Sequence, residues 1–261
     1  MQIGLYGTGG ATEARRASLE RLGHPLAWTG ETPSDFAAMP PLGACFVGGP
    51  VAERALAARE AAGRGAAVLA EWPPATGLRE AYGLVRLGEE AGVEVGVART
   101  LRFHPALEGA SSSESGPMRL VVARASVPGA SLPAGPALAD LLDVCAFLVG
   151  THGLRRVEAQ AVRGRLREPR AYAFGLRFTS GAYAQGSLVA AGEGAPASLH
   201  LSALGAGEPL AADLAHGREA ARDRETAAFL AAVASGVAAP VTALDGLHTL
   251  RLVERVMARM R

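Results

Sequence analysis

Over the first hundred residues, short apolar runs alternate with stretches of helical period, and this alternation restricts the chain more than any other feature. Strands that are each followed by a helix close on a parallel sheet covered on both faces. Residues 2–6 read as the first strand, Gly7-Thr8-Gly9-Gly10 as a tight turn, and 12–22 as a helix closed by Gly23. Further strands are expected at 26–29, 44–47, 67–70 and 93–97, with helices at 52–62 and 78–90. The expected architecture is α/β, an N-terminal doubly wound Rossmann domain over residues 1–103.

After Pro105 the texture changes. Residues 106–117 are small and polar, the composition of a loop or a frayed short helix. Strand-like segments then dominate at 118–126, 155–162, 171–179, 182–188 and 198–204, with Ser180-Gly181 as a hairpin signal. A helix at 138–148 interrupts them, and two helices finish the chain. The last starts near Asp245 and carries Leu247, Leu250, Val253, Val256, Met257 and Met260 on one core-facing stripe. Residues 104–261 are therefore expected to form a second, α+β domain.

Composition removes several chemistries. All 26 basic residues are Arg, so a Schiff-base lysine, a P-loop lysine and a lysine general acid are excluded. A net charge of +1 argues against a nucleic-acid partner, which needs a basic excess. Cys45 and Cys145 sit inside apolar runs and read as small buried hydrophobes in a reducing compartment. No apolar run reaches the roughly 18 residues of a spanning helix, and the first strand leaves no room for a signal peptide, so a cytoplasmic protein without membrane partners is expected.

Gly7, Gly9 and Gly10 follow a strand and precede a helix, the context in which bare backbone approaches a pyrophosphate at a helix N-terminus. The third glycine of that pattern falls on Thr12. The ordinary alternative is a tight strand-to-helix turn. Glu31, just past the second strand, is placed to accept hydrogen bonds from a ribose. An acid there repels a 2′-phosphate and favours NAD over NADP, whereas Arg54 on the following helix would favour NADP.

Several stretches together resemble the Gfo/Idh/MocA family of oxidoreductases, the glucose-fructose oxidoreductase and inositol dehydrogenase group. They are the turn YGTGGA, the strand end ACFVGGP, the segment AAVLAEWPPATGLREAYGLVRLGEEAGVEVGVARTLRFHP, and the C-terminal runs DLLDVCAFLVG and ETAAFLAAVASGVAAPVTALDG, in family order. The resemblance implies a C-terminal domain with an open, mostly antiparallel sheet. It also implies NAD- or NADP-dependent oxidation or reduction of a sugar, cyclitol or related small polyol or carbonyl compound. Homo-oligomerisation through that sheet is implied too, and its apolar strands suit a homodimer. Carried over position by position, Gly7, Thr8, Gly9 and Gly10 would hold the pyrophosphate, Gly49 and Pro50 would border the path to the nicotinamide, and Glu71 would lie near the nicotinamide ribose. The family lysine that follows this glutamate is Trp72 here, and its Asp-x-x-x-His pair falls on Pro136 and Asp140.

Hydride transfer from a carbinol requires that the hydroxyl proton leave to a base. Two residues are candidates. Asp140 is a carboxylate that desolvation would tune, with a helix N-terminal acid as its ordinary reading. His104, at the end of the fifth strand, titrates near neutrality without special surroundings, with an interdomain hydrogen bond as its ordinary reading. Arg102 would bind an anionic group or pin the crossover, and Asp140 with Asp143 reads as one capping and one solvated carboxylate rather than a catalytic pair. The remaining histidines have no metal-ligand spacing. Two functions follow: an oxidoreductase acting on a small molecule, or a non-catalytic relative that keeps the nucleotide-binding fold for a ligand or partner.

Overall fold

The computed structural model describes residues 1–110, 118–132 and 135–260. Contacts group the chain into two compact units, Met1–Thr100 with Glu219–Leu250 and Leu101–Arg218 with Arg251–Arg261.

The first unit contains β1 (Ile3–Tyr6), α1 (Gly10–Arg21), β2 (Leu26–Gly30), β3 (Ala44–Val47), α2 (Val51–Gly63), β4 (Ala67–Ala70), α3 (Leu78–Ala91) and β5 (Val95–Val97). The strands form one parallel sheet in the order β2-β1-β3-β4-β5. β1, β3, β4 and β5 are buried along their length, as strands covered on both faces must be. Alternate residues feed two cores. Tyr6, Cys45, Val47 and Val68 pack with Ala57, Ala61, Leu84 and Leu87 of α2 and α3. Ile3, Leu5, Phe46 and Leu69 pack with Leu19 of α1 and with Phe229 and Leu230 of a later helix, α5 (Arg218–Ser235).

The return of α5 has a physical cause. Right-handed crossovers place α2 and α3 on one face and leave α1 alone on the other, so apolar side chains of β3 and β4 need a further cover. A division between 103 and 104 assigns 219–250 to the second domain, whereas their contacts group them with the first.

The second unit contains β6 (Leu120–Val127), α4 (Pro136–Val149), β7 (Leu154–Arg163), β8 (Pro169–Phe178), β9 (Tyr183–Ala190), β10 (Ser198–Leu204) and β11 (Leu210–Asp213). They form an open sheet in the order β11-β10-β6-β9-β8-β7, antiparallel except between β6 and β9. Leu138, Leu141, Leu142, Cys145 and Leu148 of α4 pack on one face, against Val121, Phe174, Leu188 and Leu201. Val162, Tyr183, Val189 and Leu204 are exposed. β11 carries no readable signal, being four residues after a Gly-rich turn.

The final helix, α6 (Ala243–Arg259), corrects the expectation of one stripe facing one core. Leu247 packs with Ala75 and Ala81 in the first unit, while Leu252, Val256 and Met260 join the core of the second. Of the expected 106–117 loop, Pro105–Leu107 form a 3-10 turn, and residues 111–117 lie outside the described residues. Cys45 and Cys145 are free and buried, and burial pushes both thiols up to about 12. Among the described residues, no helix is long and apolar enough to cross a membrane.

Candidate active site

In the order β2-β1-β3-β4-β5 the sheet reverses direction between β1 and β3, and open parallel sheets bind ligands outside the strand ends at such a reversal. The turns that follow these strands meet there backbone to backbone. A Cβ on Gly7 (φ +105) would stand 2.4 Å from the Gly49 amide nitrogen, so Gly7 is demanded by packing. Gly9 (φ +95) and Gly10 are different: a Cβ on either meets nothing within 4 Å. Gly9 is the N-cap of α1 and no side chain caps that helix, so its leading amides and dipole face open space beside exposed Thr8. Thr12 is fully buried and does not force helix and strand apart. Gly48 makes room for it, since a Cβ there would stand 2.2 Å from the Thr12 hydroxyl, and that hydroxyl accepts the Gly49 N–H at 3.3 Å and donates to the Thr8 carbonyl at 3.2 Å.

Glu31 is exposed directly after β2, whose Gly30 carbonyl accepts the Gly7 N–H. Asp35 accepts the amides of Glu31 and Thr32 at 2.8 and 2.9 Å, and these bonds hold its carboxyl below the usual range. Pro50 is exposed as the N-cap of α2, and Gly49 is buried. Arg54 is buried as well. Its guanidinium donates twice to the Gly49 carbonyl, at 3.0 and 2.8 Å, and once to the Pro73 carbonyl at 2.8 Å. It ties the turn after β3 to the loop after β4, so the expectation that Arg54 favours NADP loses its basis.

Beyond β4 the sequence pattern missed a buried charge centre. Arg15 has no exposed side-chain surface. It donates to Glu71 at 2.9 Å, to Glu225 at 2.7 Å and to the Thr226 hydroxyl at 2.8 Å. Burial opposes the charge on Arg15, but the two carboxylates outweigh it and raise the guanidinium pKa. Glu225 also accepts the Arg99 amide at 2.5 Å and the Thr100 hydroxyl at 2.9 Å. Its carboxyl is pushed upward by burial, with the charge of Glu71 adding to the effect. One signal for Arg15 was legible, because with Thr12 and Ser18 it lies on the buried side of α1. The Glu225 partner lies 210 residues away and was not.

Trp72 follows Glu71 and is half-buried, with the Arg99 guanidinium 4.4 Å from its ring centroid. Arg99 itself is buried. The position that the resemblance gives to a lysine thus holds an aromatic face, and a neighbouring strand end supplies a cation to it.

In the second unit His104 is buried, with both ring nitrogens engaged. Nε2 lies 2.5 Å from the His216 carbonyl and Nδ1 accepts the Ala106 amide at 3.1 Å. As the cap of a 3-10 turn it has no nitrogen left for a substrate proton, which runs against the proton-handling role expected of it. Arg102 donates twice to Asp143, at 2.9 and 2.8 Å, with both side chains buried. Asp143 is therefore an ion-pair partner, neither capping nor solvated. α4 starts at Pro136, which puts Asp140 in the second turn, away from the dipole of the first. Its carboxylate stands 3.6 Å from Arg218, and its side chain is 29% exposed.

No protein-family model and no curated protein matches this sequence. Solved structures match its fold over nearly its whole length. The UDP-N-acetylglucosamine 3-dehydrogenase of Acidithiobacillus ferrooxidans superposes with a TM-score of 0.86 at 17% identity, covering 100% of this chain and 97% of that one. For a myo-inositol dehydrogenase of Corynebacterium glutamicum the values are 0.83, 17%, 100% and 96%. For an oxidoreductase of Agrobacterium radiobacter solved with NAD+, L-tartaric acid and magnesium they are 0.80, 14%, 99% and 96%. The fold is that of inositol dehydrogenases and related oxidoreductases of the Gfo/Idh/MocA type, as the sequence resemblance implies.

Proposed function

We propose that this protein is a nicotinamide-dependent oxidoreductase acting on a small hydroxylated or carbonyl substrate, with NAD preferred to NADP. One observation carries the reading: the uncapped first turn of α1, at the reversal of the sheet, opens onto space that a Cβ at Gly9 or Gly10 would enter. Backbone amides and a helix dipole offered this way suit a pyrophosphate. The residues fit a dinucleotide: the Gly7–Gly10 backbone for the pyrophosphate, Glu31 for the adenosine ribose, Gly49 and Pro50 beside the path, and Glu71 with Trp72 at the nicotinamide end. Glu31 and Asp35 oppose a 2′-phosphate, and Arg54 is committed elsewhere. Similar folds have been solved with NAD, in the Agrobacterium radiobacter oxidoreductase and in GenD2.

When bound, the nicotinamide supplies the hydride acceptor or donor. The chain must manage the proton, and Asp140 is the group proposed to take it from the substrate hydroxyl. Trp72 and Pro136 have no titrating group, and the Arg99 guanidinium has donors but no acceptor for a proton. His104 acts as a positioning residue through its turn.

Calorimetric titration with NAD, NADH, NADP and NADPH tests the cofactor. NAD and NADH should bind at least about tenfold more tightly than the phosphorylated pair, while affinities no better than about 1 mM for all four would reject the proposal. Gly9→Val should abolish nucleotide binding in a folded protein, because the branched side chain enters the open space. A second reading, nucleotide binding without catalysis, is favoured by the pairing of Glu71 with Arg15 and the stacking of Trp72 under Arg99. Turnover that disappears in Asp140→Ala but survives in His104→Ala would eliminate it. A dimer or higher oligomer of this chain is proposed on the exposed apolar face of the second sheet, and sedimentation velocity would test it.

A further inference from the structure

We infer that the second unit contains a substrate subsite shaped for a short 2-hydroxy acid rather than for a sugar or cyclitol; this rests on the oxidoreductase reading above. A cavity of about 160 Å³ lies between α4 and the strands β6 and β10. Asp140 and Arg218 line it with Ser126 and Ser198, and the rest of its wall is alanine, valine and leucine. Four polar side chains are therefore gathered in an otherwise apolar space.

Arg218 is held loosely. Arg218 Nη1 and Asp140 Oδ2 are 3.6 Å apart, and the arginine side chain is 54% exposed. The Arg102–Asp143 pair of the same unit shows what a committed pair looks like, with two bonds of 2.9 and 2.8 Å. Arg218 can thus turn its planar fork to a carboxylate, the anion it matches in a bidentate fashion. Asp140 accepts hydrogen bonds and so takes a hydroxyl. Heads 3.6 Å apart suit a ligand whose hydroxyl and carboxylate sit on adjacent carbons.

The serines and the wall set the remainder of the ligand. Ser126 and Ser198 are register partners on β6 and β10 with hydroxyls 2.8 Å apart, so much of their hydrogen-bonding capacity is mutual. A sugar or cyclitol carries a hydroxyl on almost every ring carbon, and most would face methyl groups here with no replacement for lost water. The volume is also small beside the roughly 300–1,000 Å³ typical of pockets for larger ligands. A short alkyl chain suits the apolar wall.

The test uses the nucleotide-free protein, with sodium lactate and 2-hydroxybutyrate titrated against myo-inositol and glucose. The hydroxy acids should bind and the neutral polyols should not. Arg218→Gln should weaken hydroxy-acid binding about tenfold or more, with Arg218→Lys intermediate. Leu166→Ala, an exposed substitution on the turn between β7 and β8, should leave it unchanged. Tighter binding of myo-inositol than of either acid, or hydroxy-acid affinity indifferent to Arg218→Gln, overturns the inference. Arg218-dependent binding in a protein that takes no nucleotide would uphold the subsite and reject the oxidoreductase reading; nucleotide binding without hydroxy-acid binding would do the reverse.

Discussion

Each unit of this protein holds a buried arginine paired with a carboxylate, Arg15 in the first and Arg102 in the second, and the two are neutralised differently. Arg102 in the second unit donates two parallel bonds to the Asp143 carboxylate. Arg15 in the first has two carboxylates, Glu71 and Glu225, together with a hydroxyl. Two parallel bonds between buried opposite charges hold Arg102, beyond the end of β5, to the middle of α4. A two-to-one centre leaves a carboxylate in excess, so the environment must either protonate it or bring another cation nearby. The first unit shows both signs: the Glu225 carboxyl is raised by burial, and a second buried guanidinium, Arg54, lowered by desolvation, is supported by the charge of Glu71.

The comparison breaks most readily at the arginines themselves. Arg15→Met should destabilise by about 3–5 kcal/mol in urea unfolding, because it strands two buried carboxylates. Arg102→Met should cost about 3 kcal/mol, since it strands one. An Arg15 variant less damaged than the Arg102 variant would contradict the two-to-one assignment. A smaller effect is expected at His104: replacement by Ala should cost about 1–2 kcal/mol by removing the bond to Ala106 and the contact with the His216 carbonyl.

The smallest effect sharpens the comparison through pH. A carboxyl raised in the folded state binds its proton more tightly there than in the unfolded chain. Its contribution therefore falls as pH rises above the ordinary value of 4.5 and levels off above the folded value. Unfolding midpoints measured between acid and neutral pH should show it as a difference: the parent protein should lose stability relative to Glu225→Gln as pH rises. An unchanged slope would mean that Glu225 is not the group in excess.

Legibility followed the range of the interaction. The strands Ala44–Val47 and Ala67–Ala70 were readable to the residue, because full burial on two faces makes a strand apolar throughout. Ser198–Leu204 was equally readable from alternation, its burial switching at every position. The start of α4 at Pro136 was missed although a proline at the first helical position is a usable signal. Glu31 and the glycine turn could be placed because each flanks a strand. Arg54 could not, since its partners are carbonyls and nothing in its own segment marks them. The contact that stands against the role expected of His104 was hidden for a related reason: the His216 carbonyl beside its ring nitrogen comes from a segment 112 residues distant.

By itself the sequence determined the order of helices and strands apart from β11, the bare glycine turn after β1, and the tryptophan at position 72, where the resemblance has a lysine. Each depends on neighbours along the chain, where period and residue type act directly. Only the tertiary structure decided which charges pair, that Glu71 is held by Arg15, that Trp72 lies under Arg99, and that Asp140 and Arg218 share a cavity. Those outcomes depend on desolvation, which acts on groups brought together from distant segments and leaves no periodic trace in any one of them.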